Sequence, residues 1–337
     1  MVPVGLGPCA HGAGPADVFA SVEAQRESEQ LMFAANGPEH LLSADGVEAV
    51  VTGVGAALRV LRVHGTEIIA RYAADAPRPA ASGLVLVPWP NRVRDGRWTD
   101  ARGEVQQLDI TEVPRGNASH GLLRYTEYRA TQPDAATLEL SATVYPQHGY
   151  PYLLETSVRY RLVADGVEVE HRARNIGGET APFALGIHPF VTINGVSPAD
   201  LVVTGSAEHV YEVDAQMIPT AIHPVDGRAE DLRAGRALSE LELDHGFRQS
   251  TPGPDGRFGY HLTAPDGRRV DVWGDDAFRW WQLYTTTSYP GQEKALAIEP
   301  MTAPTDAFNS GEGLVQLESG AEWSAVWGIR ASGFAVA

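Results

Sequence analysis

Two stretches of this chain each carry an ionisable side chain out of a run of small and apolar residues. In KALAIEPMTAPTDAF (294–308) that side chain is Glu299, and in FALGIHPF (183–190) it is His188. Side chains alternate between the two faces of a strand. Read as a strand, the first stretch puts Ala295, Ala297 and Glu299 on one face, with Leu296 and Ile298 on the other. The second puts Ala184, Gly186 and His188 opposite Phe183, Leu185 and Ile187. A row of small residues facing a core would be a packing defect, whereas facing a ligand it leaves space. Pro300 and Pro189 are expected to stop these strands, because proline lacks the N–H that a ladder uses. A carboxylate and an imidazole displayed in this way make a candidate pair for general acid–base work near neutral pH. The plain alternative is that His188 is a hydrogen-bonded core residue.

Other polar candidates lie in the breaks between strand-like runs. VPWPNRVRDGRW (87–98) places Asn91 and Arg92 just after a Pro-Trp-Pro stop, and GNASHGLLRY (116–125) puts His120 in a Gly- and Ser-rich loop. ELDHGFR (242–248) presents Asp244, and FRWWQLYT (278–285) sets Gln282 among aromatics. Each has a structural reading beside the functional one: Arg92 a surface loop residue, His120 a turn residue, Asp244 a helix or turn cap, Gln282 a satisfied sheet amide. The Trp280-Trp281 pair reads first as core, and second as a ring face for a sugar.

The elements that must position these groups are strands. From Leu41 onward, EAVVTGV, ALRVLRV, ATLELSATV, TSVRYRLV and GVEVEHRAR mix β-branched and apolar residues with alternating polar ones. Asp165-Gly166, Asp266-Gly267 and Ser319-Gly320 are hairpin signals, since tight turns need positive φ angles. No long helical pattern, phosphate-cradling Gly loop or fixed-period repeat is visible after residue 40. The expectation is one all-β domain over residues 39–337, built from two large packed antiparallel sheets with few short helices. Residues 1–38 read as an N-terminal extension, flexible or loosely docked, with a short helix over 20–35.

Composition narrows the functional classes. The 337 residues carry 26 Lys and Arg against 43 Asp and Glu, a formal charge of −17, which argues against nucleic acid as a partner. The single cysteine, Cys9, excludes an intramolecular disulfide and a cysteine metal cage. No run of apolar residues is long enough to span a bilayer. The first residues show neither a basic segment nor a continuous apolar one, so a cytoplasmic protein is expected.

Taken together, five segments resemble the aldose 1-epimerase (galactose mutarotase) family over residues 41 to 330. They are ADGVEAVVTGVGAALRVLRV, PNRVRDGRW, SHGLLR, ALGIHPFV and LAIEPMTAPTDAFN, in the family's order. The resemblance implies a β-supersandwich and a cofactor-free, metal-free isomerase that interconverts the anomers of an aldose. By motif it implies Glu299 as base on the anomeric hydroxyl and His188 as acid on the ring oxygen. His120, Arg92 and Asn91 would hold the substrate, and Asp244 and Gln282 would contact sugar hydroxyls. The chain looks like a divergent subgroup: Gly-Ile-His-Pro-Phe and Glu-Pro-Met stand where Asn-His-Ser-Tyr-Phe and Glu-Thr-Gln are usual. PWPNRV and HGLLR are also similar to hexose-6-phosphate epimerases, in which Arg92, Arg94, Arg97 and Arg124 would be candidates to clamp a phosphate. Two further alternatives are a non-catalytic carbohydrate-binding protein and a metal-dependent enzyme with His120, His188 and Glu299 as ligands.

Overall fold

The alternating runs become strands whose inward residues build one main core. In Leu154–Val163, for example, Leu154, Val158, Tyr160 and Leu162 are buried while Glu155, Arg159 and Arg161 are exposed. A computed structural model describes residues 34–335, so all but the last two residues of the helix expected over 20–35, and nearly all of the expected N-terminal extension, lie outside the described residues. The chain is already docked at Asn36, whose buried side chain donates to the Ala76 carbonyl at 3.0 Å.

Two large antiparallel sheets dominate. The nine-stranded sheet runs, in spatial order, Arg129–Asp134, Thr137–Val144, Leu154–Val163, Gly166–Asn175, Glu322–Ser332, Arg269–Gly274, Phe258–Thr263, Val202–Gly205 and Arg236–Ala237. The eight-stranded sheet runs Pro219–Pro224, His209–Val213, Asp244–Arg248, Trp280–Thr286, Ala295–Met301, Gly186–Ile187 and Val85–Leu86, with Phe190–Val191 also paired to Ala295–Met301. The sheets meet through aromatic side chains. Tyr260 of the first lies 5.9 Å from Phe247 and 5.6 Å from Trp281 of the second, ring centre to ring centre. A four-stranded meander over residues 39–67 packs alongside, tied in by the Tyr160 hydroxyl on the Ala56 carbonyl at 2.7 Å. Among the described residues the α-helical content is one four-residue segment, Ala307–Ser310. This is the expected all-β supersandwich.

Two of the three turn signals close hairpins, at Asp165-Gly166 and Asp266-Gly267. The third does not. Val315–Leu317 pairs with Ala181–Phe183, whereas Glu322–Ser332 pairs with Gly166–Asn175 and Arg269–Gly274, so Ser319-Gly320 sends the chain from one sheet to another.

Candidate active site

Proline does not stop the strand that carries Glu299. Ala295–Met301 runs through Pro300, which lies opposite Trp281. The reason is the edge that the missing N–H would face. Ile298 donates to the Pro189 carbonyl and Thr302 to the Leu185 carbonyl, so alternation aims position 300 at the stretch between them. There the neighbouring chain is itself broken, into Ala181–Phe183, Gly186–Ile187 and Phe190–Val191, rather than one strand running from 183 to a stop at Pro189 as expected. Proline is tolerated where no ladder bond is required. The break also frees His188 from the ladder. Its position is fixed from the other side, by its own N–H on the Leu84 carbonyl and by the Gly83 N–H on its carbonyl.

His188 and Glu299 meet at that break. Nε2 of His188 lies 3.3 Å from Oε1 of Glu299, and the two residues are only 6% and 2% exposed. Among the described residues, Nδ1 of His188 and Oε2 of Glu299 have no hydrogen-bond partner. The space beside the alanines is filled, contrary to the sequence expectation: Ala295 and Ala297 pack against Phe190 and Tyr289, with Tyr284 at the margin. Small residues here admit aromatic rings, and the Phe190 ring lies 5.3 Å from that of His188.

Burial sets the proton chemistry. It lowers His188 to about 4, with the nearby Arg92 cation acting in the same direction. It raises Glu299 well above the carboxylate range, assisted by the Asp244 charge and opposed by Arg92. Both shifts disfavour charge, so burial favours the arrangement in which His188 is neutral and a proton resides on Glu299.

The remaining candidates surround this pair. The His120 ring is edge-on to His188 at 5.6 Å, and burial, then His188, Arg92 and Arg124, keep it unprotonated. His120 and Asn91 both adopt left-handed φ angles, of 63° and 54°, and the His120 N–H bonds the Asn91 carbonyl at 2.8 Å. Non-glycine residues held in this region are costly and concentrate at functional sites. The short ladder between Arg92–Val93 and Ala118–Ser119 brings the two segments together. Asp244 is not a cap. It opens the strand Asp244–Arg248, and its Oδ1 accepts from Gln282 Nε2 at 2.7 Å while Oδ2 lies 3.9 Å from Arg92. Gln282 stands directly across the ladder from Glu299, on the same face of the sheet. The seven residues therefore form one cluster, of which Arg92, Asp244 and Gln282 line a pocket on that face, while Asn91, His188 and Glu299 are buried beside it and His120 is half-buried.

Several pocket residues escaped the sequence reading. Tyr211, Met217 and Pro219 reach the pocket from the hairpin over 209–224, and Pro304 and Thr305 from the loop after the Glu299 strand. The two tryptophans divide: Trp281 is fully buried between the sheets, and Trp280 lines the pocket. Strand alternation was the signal that could have separated them. Glu112 was also missed. It grips Arg92 with two hydrogen bonds, 2.8 Å to Nε and 3.1 Å to Nη2, and accepts a further one from Asn117. Arg94 is likewise paired, at 2.6 Å to Asp214. Among the described residues no group of three or more His, Cys, Asp or Glu is arranged to hold a metal ion, and no helix is long and apolar enough to cross a membrane.

Comparison with known proteins agrees with this architecture. The sequence model of the family described as aldose 1-epimerase matches residues 39–330. A protein of Escherichia coli (strain K12) named "Uncharacterized protein YihR" is 33% identical over 281 residues, 83% of this chain and 88% of the relative. Among solved structures, a galactose mutarotase-like protein from Clostridium acetobutylicum superposes with a TM-score of 0.77 at 18% identity, over 87% of this chain and 95% of that one. The galactose 1-epimerase from Lactobacillus acidophilus gives a TM-score of 0.72 at 19% identity, over 87% and 94%. At these identities the two structures speak to the fold, while the match over 39–330 and the 33% relative speak to descent. The chain belongs to the aldose 1-epimerase family.

Proposed function

We propose that this protein is an aldose 1-epimerase that interconverts the α and β anomers of a free aldose by acid–base ring opening and closure. The observation that carries the reading is the 3.3 Å contact between His188 and Glu299, the latter directly across the ladder from Gln282, which lines a pocket together with Arg92 and Asp244.

The anomeric hydroxyl and the ring oxygen are bonded to the same carbon, so two groups this close can address both at once. Glu299 takes the proton from O1 as His188 delivers one to O5, and the C1–O5 bond breaks. The free aldehyde turns about the C1–C2 bond. Closure on its other face returns each proton to its donor, so neither atoms nor electrons are gained or lost. The pair carries one proton before ring opening and one after; opening moves it from His188 to Glu299, which leaves both groups in the neutral forms that burial favours. Arg92 supplies the positive charge that supports the ionised form of Glu299. His120, Asn91 and Arg92 hold the sugar beside the ring oxygen, and Asp244 with Gln282 binds ring hydroxyls.

Glu299→Gln tests the reading. It preserves shape and removes the base, so turnover should fall by roughly 10²–10⁴-fold, the usual worth of one positioned proton transfer. Sugar binding by titration should persist. A variant with near-wild-type turnover would sink the assignment.

A further inference from the structure

Glycine is a poor strand residue, because it gives up conformational entropy and offers no side chain to pack. Most strand glycines here have a local reason. At Gly166, Gly186, Gly205, Gly259, Gly274 and Gly328 an added Cβ would come within 2.0 to 2.6 Å of a neighbouring atom. Gly246, in the middle of Asp244–Arg248, is different. Its Cβ would sit 3.4 Å from Tyr211 Cδ2 and 3.5 Å from Gln282 Oε1, ordinary contact distances, and its φ is not in the left-handed region. The fold therefore has room for alanine at this position.

Register shows what the missing side chain leaves open. Glu299 faces Gln282, and Gln282 faces Gly246, so the three form one row across the sheet. Gly246 lies on the pocket floor between Gln282 and Tyr211. Two strand spacings separate it from the Glu299 backbone, about 10 Å. A pyranose whose anomeric carbon sits at Glu299 extends its far carbons over this gap.

We propose that Gly246 is a specificity-determining residue: its bare Cα is the floor that receives the end of the sugar ring remote from the anomeric carbon. The inference rests on the aldose reading above. A methyl placed there occupies substrate space and touches neither reacting oxygen. The loss is therefore one of uniform binding, seen in KM and not in kcat.

The experiment compares wild type, Gly246→Ala and Gly246→Val by NMR exchange between the anomers of an aldohexose, with thermal melts of each. Gly246→Ala should melt with wild type and keep its kcat, while KM rises about 10-fold or more, the scale of one misplaced methyl in a fitted pocket. Gly246→Val should raise KM further. A folded Gly246→Ala with unchanged KM beside an active wild type overturns the floor and leaves the aldose reading standing. A wild type that exchanges no aldose removes both.

Discussion

Nε2 of His188 and Oε1 of Glu299 lie 3.3 Å apart at a point where one strand of the sheet is interrupted and its neighbour carries a proline. The two irregularities serve one another. The proline needs no acceptor, and the interruption lets the imidazole turn onto the face that carries the carboxylate. The contact is long for a strong hydrogen bond.

The opposite pKa shifts of the pair give opposite pH dependences of stability. Folded His188 titrates at about 4, below its ordinary 6.5, so its contribution is full above 6.5 and is lost as pH falls toward 4. Folded Glu299 titrates above its ordinary 4.5, so its contribution is full below 4.5 and is lost as pH rises through the folded value. Melting curves should show His188→Gln gaining on wild type as pH is lowered from neutrality, and Glu299→Gln gaining as pH is raised from 4.5. Parallel, flat differences would mean that neither group is desolvated.

Glu112 does not reach the pair, yet its two bonds to Arg92 fix the guanidinium that neighbours Asp244. Glu112→Ala releases that group, and misplacement by about 1 Å can cost on the order of 10²-fold in rate. A fall in kcat/KM of that order is expected. Glu112→Gln, which keeps an acceptor for Arg92, should recover part of it, whereas a purely structural role would lower melting temperature without separating the two variants in kinetics.

Of the four arginines that could clamp a phosphate, Arg92 and Arg94 are committed to Glu112 and Asp214, whereas Arg97 and Arg124 carry no ion pair among the described residues. A phosphate would have to displace those carboxylates to be gripped by the same guanidinium groups. Rates on glucose and glucose 6-phosphate should therefore favour the free sugar. A preference for the phosphate ester would return the chain to the hexose-6-phosphate reading.

Strand positions were legible in the sequence because alternation writes burial directly into residue type: the run TSVRYRLV lies within Leu154–Val163, where every second residue is buried. The candidate residues were legible for a related reason, since chemistry-bearing side chains beside proline and glycine breaks stand out from regular patterning. What was not legible depended on partners distant in sequence. Nothing in KALAIEP shows that Phe190 and Tyr289 fill the space beside its alanines, or that Pro300 faces a gap in another strand. The same holds for Glu112, an ordinary acid in ITEVPRG until the fold sets it against Arg92. Ser319-Gly320 misled because a turn signal fixes local backbone and says nothing about which strand follows as partner.

The most direct test of the His188–Glu299 pair is anomer exchange measured by NMR on a panel of aldoses, for wild type and Glu299→Gln under identical conditions. The expected result is catalysed exchange between α and β signals of at least one free aldose in wild type, reduced to near the spontaneous rate in the variant. Exchange that survives the loss of Glu299, or a wild type that accelerates none of the sugars while still binding them, would contradict it.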